Sequence, residues 1–364
     1  MVSTRLMPHR SGPSRAARAL ARAARDRRII GGAAATAGAA LAAGVARELM
    51  TDDDGQRTDS AGAYRIKNGE RATSAVLRIA RGRLDRALEQ LSSGLDEDPV
   101  TAVHEARKDL KKTRSVLRLV RDPLGKDRYQ QENARLREAS RALAGTRDAT
   151  VLIDTLEALE ERYGEELPRG IEDLAGALQE EQSAIQSGAR DRESDLQPAA
   201  RRASELIGET RDGIDEWSFT KSGFKVVADG LERSYRRGHK RFADVRDDPT
   251  SENVHEWRKR VKDLWYDLRL LRDTWPPVLG EMADQAHELS DLLGDHHDLT
   301  VLSDDVDRRA ELDGEETLAI QAVIEGRQEE LLEAAVPIGE RLYAEPSKMF
   351  VKRLRAYWRA RDAS

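Results

Sequence analysis

The sequence predicts an all-α fold. Charged residues make up 35% of the chain and aromatic residues only 4%, a balance that is typical of ion-paired helices rather than of β-sheets. From about Tyr64 onward, no Asn-Gly or Asp-Gly pair is flanked by alternating apolar and polar residues, so no hairpin is indicated. The chain has 364 residues, which is enough for about two domains.

Helical periodicity and breaker residues place the individual elements. Prolines that a helix interior does not tolerate, among them Pro99, Pro123, Pro168 and Pro249, separate segments with apolar residues at helical spacing. The predicted helices cover about 70–92, 99–121, 127–145, 148–163, 168–188, 196–212, 221–243, 251–273, 278–293, 298–310, 315–342 and 347–361.

The first 60 residues differ in kind from the rest. Residues 1–28 contain eight arginines and a single acid, Asp26, and an uncharged run of 18 residues follows from Ile29 to Ala46. A basic flank before an apolar run is typical of a membrane anchor or a signal peptide. The run consists mostly of alanine and glycine, which partition weakly into lipid. We therefore expect residues 1–60 to form a flexible basic arm, with membrane anchoring by residues 29–46 as the alternative.

Two features of the composition limit the function. The chain contains no cysteine, which excludes disulfides, thiolate metal sites and cysteine nucleophiles and agrees with a reducing cytoplasm. The net charge is −6, so bulk charge does not predict nucleic-acid binding. Any anion site must come from local segregation of charge.

A helical unit occurs twice in the chain. The segment HEARKDLKKTRSVLRLVRD (104–122) aligns with HEWRKRVKDLWYDLRLLRD (255–273), and LAGTRDATVL (143–152) aligns with LGDHHDLTVL (293–302). The intervals are 151 residues (255 minus 104) and 150 residues (293 minus 143). Two signatures in the same order predict a duplicated unit, and we expect two bundles that face each other across a pseudo-twofold axis.

Each copy of the first signature gathers its cations on one side of a helix. On a helical wheel at about 100° per residue, the cations fall in one sector and an apolar sector lies beside it. The acids of these helices are predicted to lie outside the cationic sector: Glu105, Asp109, Glu256, Asp263 and Asp267. We call the two sets of cations the basic rows. They comprise His104, Arg107, Lys108, Lys111 and Arg118 in the first copy, and His255, Arg258, Lys259, Lys262 and Arg269 in the second.

The spacing of the basic rows favours anion binding over a simple solvated face with salt bridges. Like charges three and four residues apart destabilise a helix by about 0.2–0.5 kcal/mol per pair. The row from His104 to Arg118 spans roughly 20 Å, which suits a linear polyanion better than a compact metabolite. Only Trp257 and Trp265 flank the rows as aromatic residues, so a polymer without bases is favoured.

These motifs resemble the signature helices of CHAD domains, the conserved-histidine α-helical domains. The segment GTRDATVL resembles the Arg-Asp element of that family, and PSKMFVKRLRAYWRA (346–360) resembles its final helix. The resemblance covers roughly residues 65–361, with a first half at about 65–165, connecting helices at about 168–212 and a second half at about 217–361. It implies two tandem four-helix bundles around a basic central channel, and non-catalytic binding of inorganic polyphosphate in the cytoplasm or at polyphosphate granules.

Carried over by position, the resemblance implies a set of ligand-facing residues. Asp148 and Asp298 match the Asp of the Arg-Asp element and are expected to orient basic side chains, and Arg81 and Arg237 are further binding candidates. The implied polyphosphate-binding residues are His104, Arg107, Lys108, Lys111, Arg114, Arg118, Arg147, His255, Arg258, Lys259, Lys262, Arg269 and His297.

The second copy departs from the first at two positions. His297 stands where the first copy has Arg147, and Trp265 stands where it has Arg114. Histidine has a reference pKa of about 6.5, so we expect polyphosphate binding to tighten as the pH falls from about 8 to 6.

Two other classes of function remain open. His287, the pair His297-Asp298 and Asp304 or Asp305 supply the ligand types of a metal-dependent His-Asp phosphohydrolase. A helical scaffold or nucleic-acid binder that uses the arginine-rich arm is the third class, and the same arm could contact anionic lipid. The chain contains no P-loop, no G-x-G-x-x-G motif, no nucleophile elbow and no Glu-x-Glu-x-Lys signature. We therefore expect a binding protein without cofactor or metal.

Overall fold

The fold is all-α, as the sequence predicts. The computed structural model describes residues 63–143, 148–187, 189–309, 312 and 314–362. This part of the chain contains no β-strand and eleven helices of 16 or more residues. They are α1 (Ala72–Glu89), α2 (Pro99–Leu119), α3 (Lys126–Ala142), α4 (Asp148–Tyr163), α5 (Gly170–Ser187), α6 (Ala189–Asp212), α7 (Lys225–Asp247), α8 (Ser251–Leu271), α9 (Glu281–Val306), α10 (Gly314–Leu342) and α11 (Ser347–Asp362).

Local sequence explains where the two signature helices, α2 and α8, begin. Asp98 accepts hydrogen bonds from the first backbone N–H groups of α2, and Pro99 occupies its first position. Thr250 accepts a hydrogen bond from the backbone N–H of Asn253 at the start of α8. Such caps satisfy amide groups that have no partner within the helix.

The predicted break between residues 293 and 298 is wrong, because α9 runs without interruption from Glu281 to Val306. Gly294 lies buried inside this helix, where it is within reach of Arg258 from α8. A Cβ on Gly294 would lie 3.3 Å from a guanidinium nitrogen of Arg258. A glycine in a helix costs about 1 kcal/mol relative to alanine, and here it allows Arg258 to pack closely against α9.

The helices pack around two hydrophobic cores. The larger core is continuous between the halves and includes side chains from α1, α2, α3, α6, α7, α8, α9, α10 and α11. Helix α6, which the sequence assigns to the connecting segment, packs against α1 and α3. The smaller core joins α4, α5, α9 and α10 and includes Leu156, Leu178, Leu302 and Ile324. Helix α9 therefore contributes to both cores.

The two halves meet where α2 crosses α7. A Cβ on Gly230 of α7 would overlap the carbonyl oxygen of Leu119, so the two backbones touch at this point. Arg233, one turn later, donates a hydrogen bond of 2.6 Å to the carbonyl oxygen of Arg118. The crossing brings the end of the first basic row to α7 and α8.

The predicted membrane anchor, residues 29–46, lies outside the described residues, as does the rest of the arm through residue 60. Among the helices that are described, none carries an apolar stretch long enough to cross a bilayer.

Candidate anion-binding site

The second basic row meets α9 in a cluster that we call the second-half cluster: His255, Arg258, Lys259 and His297. The imidazole rings of His255 and His297 lie 4.1 Å apart between centroids. The Nδ1 atom of His255 is buried and has no hydrogen-bond partner within the described residues. Four basic side chains from two helices therefore share one small region.

The pKa values of both histidines show the effect of this crowding. Burial, followed by the neighbouring His297, Lys259 and Arg258, lowers the pKa of His255 to about 4. Burial and the guanidinium of Arg258 also lower the pKa of His297. Both imidazoles are therefore neutral near pH 7, whereas the sequence predicts partial charge. The surrounding positive potential would favour an anion at this place.

A second group of cations, the first-half cluster, lies between α2 and α3 and comprises Arg114, Arg118, Arg137 and Arg141. Burial and the three neighbouring arginines lower the pKa of Arg114. The Nε of Arg114 donates a hydrogen bond of 3.2 Å to Asn133, which holds the side chain against α3. Neither Arg137 nor Arg141 pairs with an acid in the described part of the chain. Sequence analysis missed both, although their i, i+4 spacing on α3 was visible.

Arg107 reaches the C-terminal end of α3, where its guanidinium donates a hydrogen bond of 2.9 Å to the carbonyl oxygen of Leu143, the residue that follows the helix. The predicted ligand residue Arg147 comes four residues later and lies outside the described residues. Asp148 is the first residue of α4, and its side chain is not among those described.

The third group, the junction cluster, comprises Arg121, Arg233, Arg237 and Arg260 where α2, α7 and α8 meet. Burial, followed by Arg260, Arg233 and Arg121, lowers the pKa of Arg237. A cleft of about 30 Å³ lies here, lined among others by Ser115, Arg118, Arg233, Arg237, Asp263 and Asp267. Sequence analysis named only Arg237 of the four cations, and all four lie outside the aligned basic rows.

The expectation that acids stay away from the basic rows is wrong at three positions. Lys108 pairs with Glu105 at 2.9 Å, and Lys259 pairs with Glu256 at 2.6 Å. Both pairs span three residues, and a lysine side chain is long enough to reach across the wheel to an acid at that spacing. The third pair joins the two signature helices, since Arg118 lies 2.9 Å from Asp263. Asp263 also pairs with Arg260 at 2.8 Å.

Asp109 has a structural role that the helical wheel does not reveal. Its side chain is buried and lies 3.0 Å from the fully buried guanidinium of Arg83 and 3.4 Å from Arg86, both on α1. Burial raises the pKa of Asp109, although Arg83, Arg86 and Lys112 act in the opposite direction. This ion-pair network holds α1 against α2, behind the first basic row.

The remaining predicted residues are spread over several environments. The guanidinium of Arg269 lies 5.1 Å from the ring centroid of Trp265, which places it on an aromatic surface. Arg81 pairs with Asp215 at 2.5 Å, so its cation already has an acidic partner. Lys111 is exposed, whereas His104 and Lys262 are half-buried. Asp298 follows His297 and opposes the lowering of its pKa.

The residues considered for a phosphohydrolase do not assemble into a metal site in the described ranges. His287 pairs with Asp291 at 2.7 Å, and this hydrogen bond raises the pKa of the imidazole. No group of three or more histidines and acids there is arranged to hold a metal ion. The ring of His297 lies instead against His255.

Comparisons with known proteins agree with the sequence resemblance. A family model described as CHAD domain matches residues 75–306. A solved structure titled PptA from Streptomyces chartreusis is similar, with a TM-score of 0.50 and 15% sequence identity. The alignment covers 76% of this chain and 100% of that one. For the crystal structure of the CHAD domain from the plant Ricinus communis, the TM-score is 0.47 and the identity 18%, and the alignment covers 84% of this chain and 98% of that one. No curated protein matches the chain.

Proposed function

Because the chain belongs to the CHAD domain family, we propose that it binds inorganic polyphosphate without hydrolysing it. The main support is the gathering of basic side chains around Arg114, Arg237 and His255, whose pKa values are lowered first by burial and then by neighbouring basic groups. Each of these groups costs free energy to charge because it is partly buried and because other basic groups surround it. A polyanion would reduce that cost when it binds.

The three clusters together suit a polymer. They lie on both signature helices and on the helices packed against them, and Arg118 belongs to the first-half cluster while contacting Asp263 beside the junction cluster. A phosphate chain that follows these cations would bridge the two halves around a shared basic channel. Arginine forms paired hydrogen bonds with phosphate oxygens, each contributing about 1.5–3 kcal/mol.

The acids within the clusters fit a binding role of this kind. Glu105, Glu256 and Asp263 are partly exposed and neutralise cations in the free protein. Exposed and half-exposed ion pairs are weak, about 0–1 kcal/mol each. Phosphates would replace these carboxylates as partners, and the cations would already be positioned. Binding through the same contacts would localise the protein to a polyphosphate granule.

The competing function is nucleic-acid binding by the arm, whose first 28 residues contain eight arginines. Titration of the full chain and of a chain without residues 1–60 separates the two. We expect both proteins to bind polyphosphate with similar affinity. We also expect short DNA to compete poorly with polyphosphate for the shortened chain. Loss of polyphosphate binding on removal of the arm would show that the arm, and not the clusters, is the binding element.

Hydrolysis is tested in the same samples. We expect no orthophosphate release from polyphosphate, with or without added divalent metal. Steady release that is abolished by His297→Ala would favour the phosphohydrolase instead.

A further inference from the structure

A cavity of about 430 Å³ lies at the N-terminal end of α7 and shares no lining residue with the three clusters. It is bounded by the loop before α7, the first turn of α7 and the C-terminal helix α11. The lining includes Lys221, Ser222, Lys225, Asp229 and Arg355, none of which belongs to the basic rows or the clusters. Its volume lies within the usual range of small-ligand sites.

Positive charge exceeds negative charge in this cavity. Three of the lining residues are cations and one is an acid, Asp229, which pairs with Lys221. Within the described residues, neither Lys225 nor Arg355 is in an ion pair. Two cations therefore remain without an acidic partner in a concave site.

Arg355 is held in place by its surroundings. Its guanidinium lies 5.8 Å from the ring centroid of Phe224, the residue immediately before α7. Its Nε atom is buried and has no hydrogen-bond partner in the described part of the chain. Because that atom is buried, the donors that Arg355 offers to a ligand in the cavity are its other guanidinium N–H groups.

The start of α7 adds to the positive potential. This helix has 23 residues, and no side chain caps its N-terminus. The backbone amides of Val226 and Val227 already donate to the carbonyl oxygens of Gly223 and Phe224, so the contribution of this end is the helix dipole, which favours an anion. The hydroxyl of Ser222 is exposed in the adjoining loop and offers a further donor.

We propose that this cavity binds a compact phosphate-class oxyanion at a site separate from the polyphosphate path. The ligand would be free orthophosphate or pyrophosphate, or the terminal phosphate of a longer chain. No aromatic ring lines the cavity among the described residues, so a nucleobase would have no stacking partner. Lys225, Arg355 and Ser222 would donate to the phosphate oxygens.

Lysine footprinting of the full chain tests this site directly. Lys225 is exposed and should react readily with an amine-acylating reagent, and we expect millimolar pyrophosphate to slow its reaction. Lys352, an exposed lysine on α11 that does not line the cavity, is the internal control and should be unaffected. In the variant Arg355→Gln the concentration of pyrophosphate needed for protection should rise about tenfold.

The phosphate that protects Lys225 identifies the ligand. Protection by orthophosphate or pyrophosphate identifies a free small anion. Protection by long polyphosphate with accessible ends, but by neither small anion, identifies the terminal phosphate of a chain. Protection that survives both Arg355→Gln and Ser222→Ala would overturn the proposal, as would equal labelling of Lys225 in the presence and absence of every phosphate tested. Polyphosphate binding at the clusters, measured separately, reports whether the variants remain folded.

Discussion

Arg118 of α2 and Asp263 of α8 form an ion pair of 2.9 Å that joins the two signature helices. Asp263 also contacts Arg260, so one carboxylate neutralises cations from both halves of the protein. In the first copy the position equivalent to Asp263 is Lys112, which is buried beside Asp109. The two copies therefore carry opposite charges at this pair of equivalent positions, and the acid of the second copy lies in the path proposed for the ligand.

Replacing this acid should strengthen polyphosphate binding. In Asp263→Asn the repulsion between carboxylate and phosphate disappears, and about 1 kcal/mol of removed repulsion gives about fivefold tighter binding. The free protein should become less stable by about 1 kcal/mol, because two ion pairs are lost. Isothermal titration and urea denaturation measure the two effects.

The matched control for that variant is Asp85→Asn, which removes one negative charge from an exposed pair with Arg211 on α6. Its polyphosphate affinity should stay close to that of the unmodified protein. Equal tightening in both variants would mean that net charge alone, and not the position of Asp263, governs binding.

Because the pKa values of the clustered histidines are lowered, we expect the affinity for polyphosphate to change at a lower pH than the sequence predicts. With a pKa of about 4 for His255 in the free protein, protonation occurs only in acid, and bound phosphate should raise that pKa. Binding then takes up a proton, so affinity should be flat from about pH 8 to 7 and rise from about pH 6.5 to 5. Titrations across this range, with His255→Gln/His297→Gln as the reference, measure the rise. The same rise in the reference variant would exclude the histidines.

The same pKa shift predicts an opposite effect on the free protein. An unfolded histidine binds a proton near its ordinary pKa of about 6.5, whereas folded His255 resists protonation until about pH 4. Its contribution to stability is therefore complete above pH 6.5 and is lost as the pH falls towards 4. The variant His255→Gln/His297→Gln should show a weaker loss of thermal stability over that interval.

The buried network around Asp109 should control stability rather than binding. Asp109→Ala removes the carboxylate that lies 3.0 Å from the fully buried guanidinium of Arg83, and loss of one partner from a buried ion pair should lower the free energy of unfolding by about 3–5 kcal/mol. The exposed acid Asp85 provides the comparison, since Asp85→Ala should cost about 0–1 kcal/mol. Chemical denaturation checks both values. A loss below that of Asp85→Ala would contradict the structural role.

The crossing of α2 and α7 gives a direct test of the packing. Gly230→Ala places a methyl group against the carbonyl oxygen of Leu119 and should destabilise the protein by about 3 kcal/mol. Gly326→Ala in α10 introduces the same group where no atom lies within 4 Å, and should stabilise the protein by about 0.5–1 kcal/mol. Urea denaturation of the pair measures the difference, and equal effects would rule out the close approach.

The sequence predicts individual helices better than it predicts their surroundings. Helix α2 begins at Pro99 as predicted, because local capping and periodicity determine that start. The break expected near Gly294 is absent, and this glycine instead lies inside α9 within reach of Arg258 from another helix. A wheel of α2 likewise cannot show that Asp109 meets Arg83 from α1.

The same holds for the candidate site. The repeat singles out Arg258, Lys259 and His255 as candidates, since these residue types recur at a fixed interval. Arg137 and Arg141 were missed because they lie on α3, which carries no recognisable second copy of the cation row. Their role depends on how α3 packs against α2, and that is a tertiary property.

The most direct test of polyphosphate binding by the basic rows is the affinity of Arg107→Ala/Lys108→Ala/Arg258→Ala/Lys259→Ala. We predict at least about a hundredfold loss of affinity and a shallower salt dependence, because four cations no longer release counterions. A control variant removes four exposed cations that lie off the rows and clusters: Lys126, Arg201, Lys348 and Arg359. Titration with polyphosphate at several salt concentrations should show near-normal binding by the control and almost none by the row variant. Equal affinities in the two variants would contradict the account.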